Sequence, residues 1–78
     1  MTNREKYNEA FKTVLGVEES SLETLEYMAI TEWDSVGHMQ LIAALEDAFG
    51  IMFETDDIID FNSYAVGIEL LKKYDIEV

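Results

Sequence analysis

Apolar residues recur at helical spacing along most of this chain, and residues that start or stop helices lie at the ends of each run. The clearest run follows Asp34 and ends at Gly50, with apolar side chains three or four positions apart. Asp is a common N-cap residue, and Gly commonly ends a helix. Only the brief "GIMFE" alternates with period two, and we interpret it as a helix exit. The pattern therefore predicts an all-α fold.

A first helix is predicted over Asn3 to Leu15. Thr2 and Glu5 fit a capping box at its start, and Gly16 follows its last apolar residue. The stretch from Val17 to Trp33 has too few apolar residues for a confident helix but enough to attach a loop to a core. We expect a long anchored loop with a short helical turn, and loops of this length in compact domains are usually functional.

Two further helices are predicted in the C-terminal third. Thr55 is expected to cap a short helix, and Asn62 or Ser63 a last one that ends in a pair of lysines. Residues 75 to 78 are expected to fray. We therefore expect one domain over residues 1 to 78, a four-helix bundle of three longer helices and one short helix, with a long loop between the first two. The expected core includes Leu41, Leu45, Phe49, Phe61, Ile68 and Leu71.

Charge restricts the partners of this chain. It has 17 Asp and Glu against 5 Lys and Arg, a formal net charge of −12, and no basic side chain lies between Thr13 and Leu71. Such a field repels nucleic acid and anionic lipid and favours encounters with basic protein surfaces. The apolar runs are short and the N-terminus shows no hydrophobic signal segment. We expect a cytoplasmic monomer that binds no nucleic acid and does not insert into membranes.

Ser35 is the candidate functional residue. With Asp34 as N-cap, Ser35 occupies the first helical position, where unpaired backbone N–H groups and the helix dipole stabilise an attached phosphate by roughly 0.3 to 1 kcal/mol. For an arbitrary protein, a D-S pair before an apolar run is most often a simple helix cap. Context must therefore decide whether the hydroxyl of Ser35 has a chemical role.

Several enzyme and metal chemistries are disfavoured. Asp34, Ser35 and His38 do not fit a hydrolase triad, because Asp34 lies on the same turn as the serine and no G-x-S-x-G elbow is present. We interpret His38 as a solvated side chain. The chain has no cysteine, which excludes a thiolate nucleophile. The segment "DFNSYAVGIE" lacks the ligands of a calcium loop, so no metal site is predicted.

Residues Glu32 to Ile51, EWDSVGHMQLIAALEDAFGI, resemble the phosphopantetheine attachment segment of acyl carrier proteins, in which D-S-[LMV] opens the second helix and L-E-x-x-F-G/D-I closes it. Length, acidity, the long loop and the order of the last two helices extend the resemblance over nearly the whole chain. It implies that a phosphopantetheinyl transferase attaches 4'-phosphopantetheine from coenzyme A to Ser35, after the family's aspartate at Asp34. The chain would be a phosphoprotein that carries acyl groups as thioesters and is not itself an enzyme.

The resemblance also implies residues that bind partner enzymes. Val36 and Met39 match apolar positions that contact partners, with core packing as the alternative, and Glu46 and Asp47 match acids lower on the same helix, with a solvated face as the alternative. Gln40 stands where fatty-acid carriers usually have glutamate, which favours a free-standing carrier of a specialised pathway. The expected partners are acyl-loading and acyl-transfer enzymes with basic docking surfaces.

Trp33 and Gly37 also depart from the usual carrier pattern. Trp33 replaces a small residue, and we interpret it as a loop anchor against the second helix. Gly37 costs about 1 kcal/mol of helix stability relative to Ala, and we interpret it as tolerated rather than as a point of close partner approach. The alternative functions are an aminoacyl or peptidyl carrier, a carrier for polyketide or surface-polysaccharide acylation, and, in a different class, an unmodified acidic helical adaptor that binds a basic partner.

Overall fold

The structure, a computed structural model that describes residues Met1 to Val78, is all-helical and contains no β-strand. The only strand-like pairing is an isolated bridge between Glu26 and Ser63. None of the helices is long and apolar enough to cross a bilayer. The predicted all-α class is therefore confirmed. In chain order the elements are α1 (Asn3–Leu15), a 3₁₀ helix (Glu19–Thr24), α2 (Ser35–Phe49), α3 (Thr55–Asp60) and α4 (Tyr64–Lys72).

The cap residues of α1 and α2 act as predicted. The Thr2 hydroxyl accepts from the Glu5 N–H at 3.1 Å, and the Glu5 carboxylate accepts from the Thr2 N–H at 2.9 Å. The Asp34 carboxylate accepts from the Gly37 N–H at 2.9 Å and so caps α2. Gly50 ends α2 at a φ of 64°, a left-handed conformation that glycine adopts at little cost. Both helices consequently have the predicted bounds.

The start of α3 differs from the prediction. Thr55 is the first helical residue rather than the cap, and Glu54 occupies the cap position without a side-chain hydrogen bond. The prediction for Thr55 is wrong because acids in the first turn complement the helix dipole in place of a capping side chain. Ser63 does cap α4, since its hydroxyl accepts from the Val66 N–H at 3.0 Å.

The C-terminal tail is also ordered, contrary to the prediction that residues 75 to 78 fray. Ile76 and Val78 are partly buried against the core. The Asn3 side-chain amide donates to the Glu77 carbonyl at 2.9 Å, which joins the tail to the start of α1. Two apolar side chains on alternate residues thus give the tail enough buried surface to stay on the bundle.

The core forms between α1, α2, α4 and the long loop. Four of the six predicted core residues are buried, and Phe49 and Ile68 are partly buried. Trp33, in the loop, is completely buried and contacts Phe11 of α1 edge to face, with ring centroids 5.5 Å apart. The loop is therefore part of the core rather than a covering segment.

Gly37 has a packing reason that the sequence does not reveal. A Cβ atom at this position would lie 2.0 Å from the Glu32 carbonyl oxygen, far inside van der Waals contact. The interpretation of Gly37 as a tolerated residue is therefore wrong. Glycine lets the backbone of the loop run directly against the first turn of α2.

A buried carboxylate connects α3 to the end of α4. Asp57 is only 3% exposed, and it accepts hydrogen bonds from the Lys73 ammonium at 2.6 Å and from the Tyr74 hydroxyl at 2.5 Å. The Tyr74 oxygen in turn accepts from the Glu54 N–H at 2.9 Å. The bonds from Lys73 and Tyr74 hold the pKa of Asp57 below its usual range.

The lowered pKa of Asp57 predicts how this cluster responds to acid. Ionised Asp57 stabilises the fold above the pKa of an unfolded Asp, about 3.9, and this contribution is lost as pH falls through the lower folded value. Asp57→Asn should therefore lower the melting temperature at neutral pH, and its gap from wild type should narrow below about pH 4. The control is Asp60→Asn, an exposed acid at the other end of α3, which should change the melting temperature little. A gap that is as wide in strong acid as at neutral pH contradicts the prediction.

Candidate functional site

Ser35 lies at the exposed N-terminus of α2, directly after the cap residue Asp34. The hydroxyl oxygen of Tyr27 lies 3.4 Å from the Ser35 hydroxyl oxygen. Asp34 accepts from the Gly37 N–H, which leaves the N–H groups of Ser35 and Val36 without an acceptor in the chain. The predicted pair of Ser35 and Asp34 thus forms an accessible hydroxyl beside two free backbone donors.

His38 is not the solvated side chain that we predicted. Its Nδ1 accepts from the indole N–H of Trp33 at 2.9 Å, and its Nε2 lies 2.8 Å from the Ile58 carbonyl oxygen. Because an indole only donates and a carbonyl only accepts, Nδ1 is unprotonated and Nε2 carries the proton. Both ring nitrogens are used within the fold, and neither is hydrogen-bonded to Ser35. The prediction is wrong because Trp33 and Ile58 meet His38 only in the tertiary structure.

Contacts of Tyr27, Met28 and Trp33 fix the last part of the loop before Ser35. The imidazole of His38 and the Trp33 ring lie side by side and nearly coplanar, 19° apart, joined by their hydrogen bond, which confirms Trp33 as the loop anchor on α2. The Met28 N–H donates to the Trp33 carbonyl at 2.9 Å, and Met28 adopts a positive φ of 69° to close this turn. The Tyr27 N–H donates to the Asn62 carbonyl at 2.9 Å, beside the start of α4.

An apolar groove of about 360 Å³ opens between α2 and α3 beside Ser35. Tyr27 and Ser35 lie at its edge, and Met39, Ile58 and Phe61 supply most of its apolar lining. The sequence alone does not reveal Tyr27 or Ile58 as neighbours of Ser35. No spacing rule could have done so, because the pairing of the loop with the α3 to α4 connection brings them there.

The apolar residues of α2 that were predicted to bind partners lie on the surface. Val36 is 66% exposed and Met39 is 52% exposed, so the alternative that they pack in the core is wrong. Ile59 of α3 and Met28 of the loop are also largely exposed. We call these four residues the apolar rim, since they lie on the three elements that meet near Ser35.

The polar residues of α2 differ in accessibility. Gln40 and Asp47 are exposed, as a partner-binding role requires. Glu46 is partly buried, and its carboxylate accepts from the Phe53 N–H at 2.8 Å. Glu46 therefore holds the segment after α2 against the helix. Its predicted contact with partners, like those of Gln40 and Asp47, stays a prediction.

The double hydrogen bond of His38 predicts a clear stability effect. His38→Leu would leave the buried Trp33 N–H without an acceptor, which costs about 1 to 3 kcal/mol of unfolding free energy. Gln40→Leu, an exposed change on the same helix, is the matched control and should stay within about 0.5 kcal/mol of wild type. Denaturant unfolding followed by the fluorescence of Trp33, the only tryptophan, measures both. Equal midpoints for the two variants would show that His38 does not hold the loop.

Comparison of the chain with models of protein families, with curated proteins and with solved structures finds no match. The resemblance to acyl carrier proteins therefore stays a prediction, and the chemistry of Ser35 is argued from its own surroundings. Those surroundings are an exposed hydroxyl at a helix N-terminus, a histidine engaged elsewhere and an apolar groove alongside.

Proposed function

We propose that this chain is a carrier protein that holds acyl intermediates as thioesters on a 4'-phosphopantetheine arm at Ser35 and delivers them to partner enzymes. The observation that supports the proposal most is an exposed serine hydroxyl at the first residue of α2 that has no base to activate it. His38 uses both ring nitrogens on Trp33 and Ile58. A serine in this setting is suited to be modified by another protein rather than to catalyse a reaction.

The attachment step needs a second enzyme and coenzyme A. The Ser35 oxygen attacks the phosphorus atom next to the pantetheine, an O–P bond forms, and the bisphosphoadenosine portion of coenzyme A leaves with the electrons of the broken P–O bond. A base of the phosphopantetheinyl transferase takes the serine proton. The arm supplies a thiol to a chain that has no cysteine. Tethered cargo then meets each docked enzyme at a high effective concentration.

The architecture is compatible with this role. The all-helical fold and the long loop before Ser35 support the four-helix carrier arrangement that the resemblance implies. The arm would leave Ser35 beside the groove between α2 and α3, where apolar parts of the arm or cargo are shielded from water. An aminoacyl or peptidyl cargo would use the same serine, so it remains the alternative within this class.

Partner enzymes would dock around the serine. The apolar rim offers exposed apolar contacts, and the acids of α2 and the loop attract a basic surface. Acyl-loading and acyl-transfer enzymes with basic docking surfaces would be attracted over long distances by the acids of this chain. Once bound, they would contact Val36 and Met39. Gln40 removes one negative charge from this surface, which supports a specialised pathway over ordinary fatty-acid synthesis.

Attachment is tested by mass spectrometry after incubation with coenzyme A and a phosphopantetheinyl transferase. Wild type should gain the mass of one arm and Ser35→Ala none, because only the Ser35 hydroxyl precedes the free amides of α2. Ser21→Ala, which removes an exposed serine of the 3₁₀ helix, is the matched control and should be modified fully. An unmodified wild type supports the acidic adaptor instead, and modification of Ser35→Ala refutes the site.

Partner choice is tested at Gln40. Gln40→Glu adds an exposed charge near Ser35. Charges at the edge of an interface act mainly on the association rate, and their effect on the binding free energy is about 1 kcal/mol or less. A standard fatty-acid transfer enzyme should therefore use the variant somewhat faster than wild type at low salt, and the gain should shrink as salt rises. Thr13→Glu, on exposed α1 surface, adds the same charge elsewhere and should give no gain. Equal rates for wild type and Gln40→Glu would favour ordinary fatty-acid synthesis.

A further inference from the structure

The hydroxyl of Tyr27 has no strong partner in the fold. It lies 3.4 Å from the Ser35 hydroxyl oxygen and bonds to no other protein atom. Hydrogen bonds between hydroxyl groups are usually about 2.7 to 2.8 Å long, so this contact is weak. The side chain is 36% exposed, and it lines the edge of the groove beside Ser35. Its hydroxyl is consequently free to donate to a group attached to the Ser35 oxygen.

The tyrosine ring is nevertheless held in place. Its backbone N–H donates to the Asn62 carbonyl at 2.9 Å. The ring packs edge to face on His38, with centroids 5.4 Å apart, and on Trp33 at 6.3 Å. Both of these rings are fixed by their mutual hydrogen bond. The hydroxyl therefore points to the same place without a large loss of side-chain entropy when a ligand arrives.

A phosphodiester on Ser35 would lie in a long segment of the chain that has no cationic side chain. The segment from Thr13 to Leu71 has no Lys or Arg. Of the basic residues outside it, Lys6 lines a groove beside the C-terminal half of α2, and the other four bond to acids or to the C-terminal carbonyl. The neighbouring Asp34 carboxylate adds negative charge. Neutral donors are what remains to stabilise the phosphate, namely the free amides of Ser35 and Val36 and the hydroxyl of Tyr27.

We propose that Tyr27 positions the prosthetic arm, by donating a hydrogen bond from its hydroxyl to an unesterified oxygen of the phosphodiester on Ser35. The proposal rests on the function proposed above. A hydrogen bond to a charged acceptor is stronger than one between neutral groups, so the phosphate replaces the long contact that the hydroxyl makes with Ser35. The bond would direct the arm along the groove edge rather than out into solvent.

Phosphorus NMR of the modified protein tests the proposal. In Tyr27→Phe the ring stays but one of the donors is lost, so the phosphorus signal should narrow and shift part of the way towards its position in denatured wild type. The melting temperature of the unmodified variant should stay within about 2 °C of wild type, since the lost contact is weak. Tyr64→Phe is the matched control: it removes a hydroxyl bonded to Asn8, away from Ser35, and should leave the phosphorus signal unchanged.

A second measurement needs no variant. In wild type, attachment of the arm should move the carbon resonance of the Tyr27 ring atom that bears the hydroxyl, because this resonance responds to hydrogen bonding, and should leave the three other tyrosines unmoved. If wild type gains no arm by mass, the proposed function fails and this inference fails with it. If wild type is modified but its Tyr27 resonance does not move, or if Tyr27→Phe and Tyr64→Phe give the same phosphorus signal, the role of Tyr27 is refuted and the carrier function stands.

Discussion

The hydrogen bond from the Trp33 indole to His38 organises the surroundings of Ser35. Trp33 carries the end of the long loop into the core, and His38 passes the connection on to α3 through the Ile58 carbonyl. The long loop, α2 and α3 are thereby joined at one point. A buried indole N–H requires an acceptor, so the loop has a strong energetic reason to end where α2 begins.

Because of that connection, a short chain has a packed interior beneath an exposed apolar surface. At the first turn of α2 the backbone of Glu32 lies against Gly37. Near the end of the same helix the Glu46 carboxylate accepts a hydrogen bond from the Phe53 N–H. On the outer side of α2, Val36 and Met39 are exposed despite their apolar character. Exposed apolar side chains on a rigid base bind partners at a low entropic cost, because the base does not have to become ordered on binding.

The uneven charge distribution separates stability from function. Lys73 neutralises the one buried carboxylate, Asp57, at the end of the bundle formed by α3 and α4. Glu32 and Asp34, next to Ser35, form no ion pair, and unpaired acids favour encounters with basic surfaces at the expense of mutual repulsion. If Ser35 carries the proposed phosphate, that phosphate would depend on backbone amides and hydroxyl groups, and the placement of Tyr27 would then matter.

The sequence by itself determined the helices of this protein, the position of Ser35 and the acidic surface. Caps and apolar periodicity act within a few residues, so the bounds of α1 and α2 and the role of Asp34 could be read directly. Tertiary structure decided the partners of His38, the need for glycine at Gly37, the ordered tail and the approach of Tyr27 to Ser35. Each of these depends on segments that meet only when the core has formed, and no local pattern encodes which backbone carbonyl or ring will lie opposite.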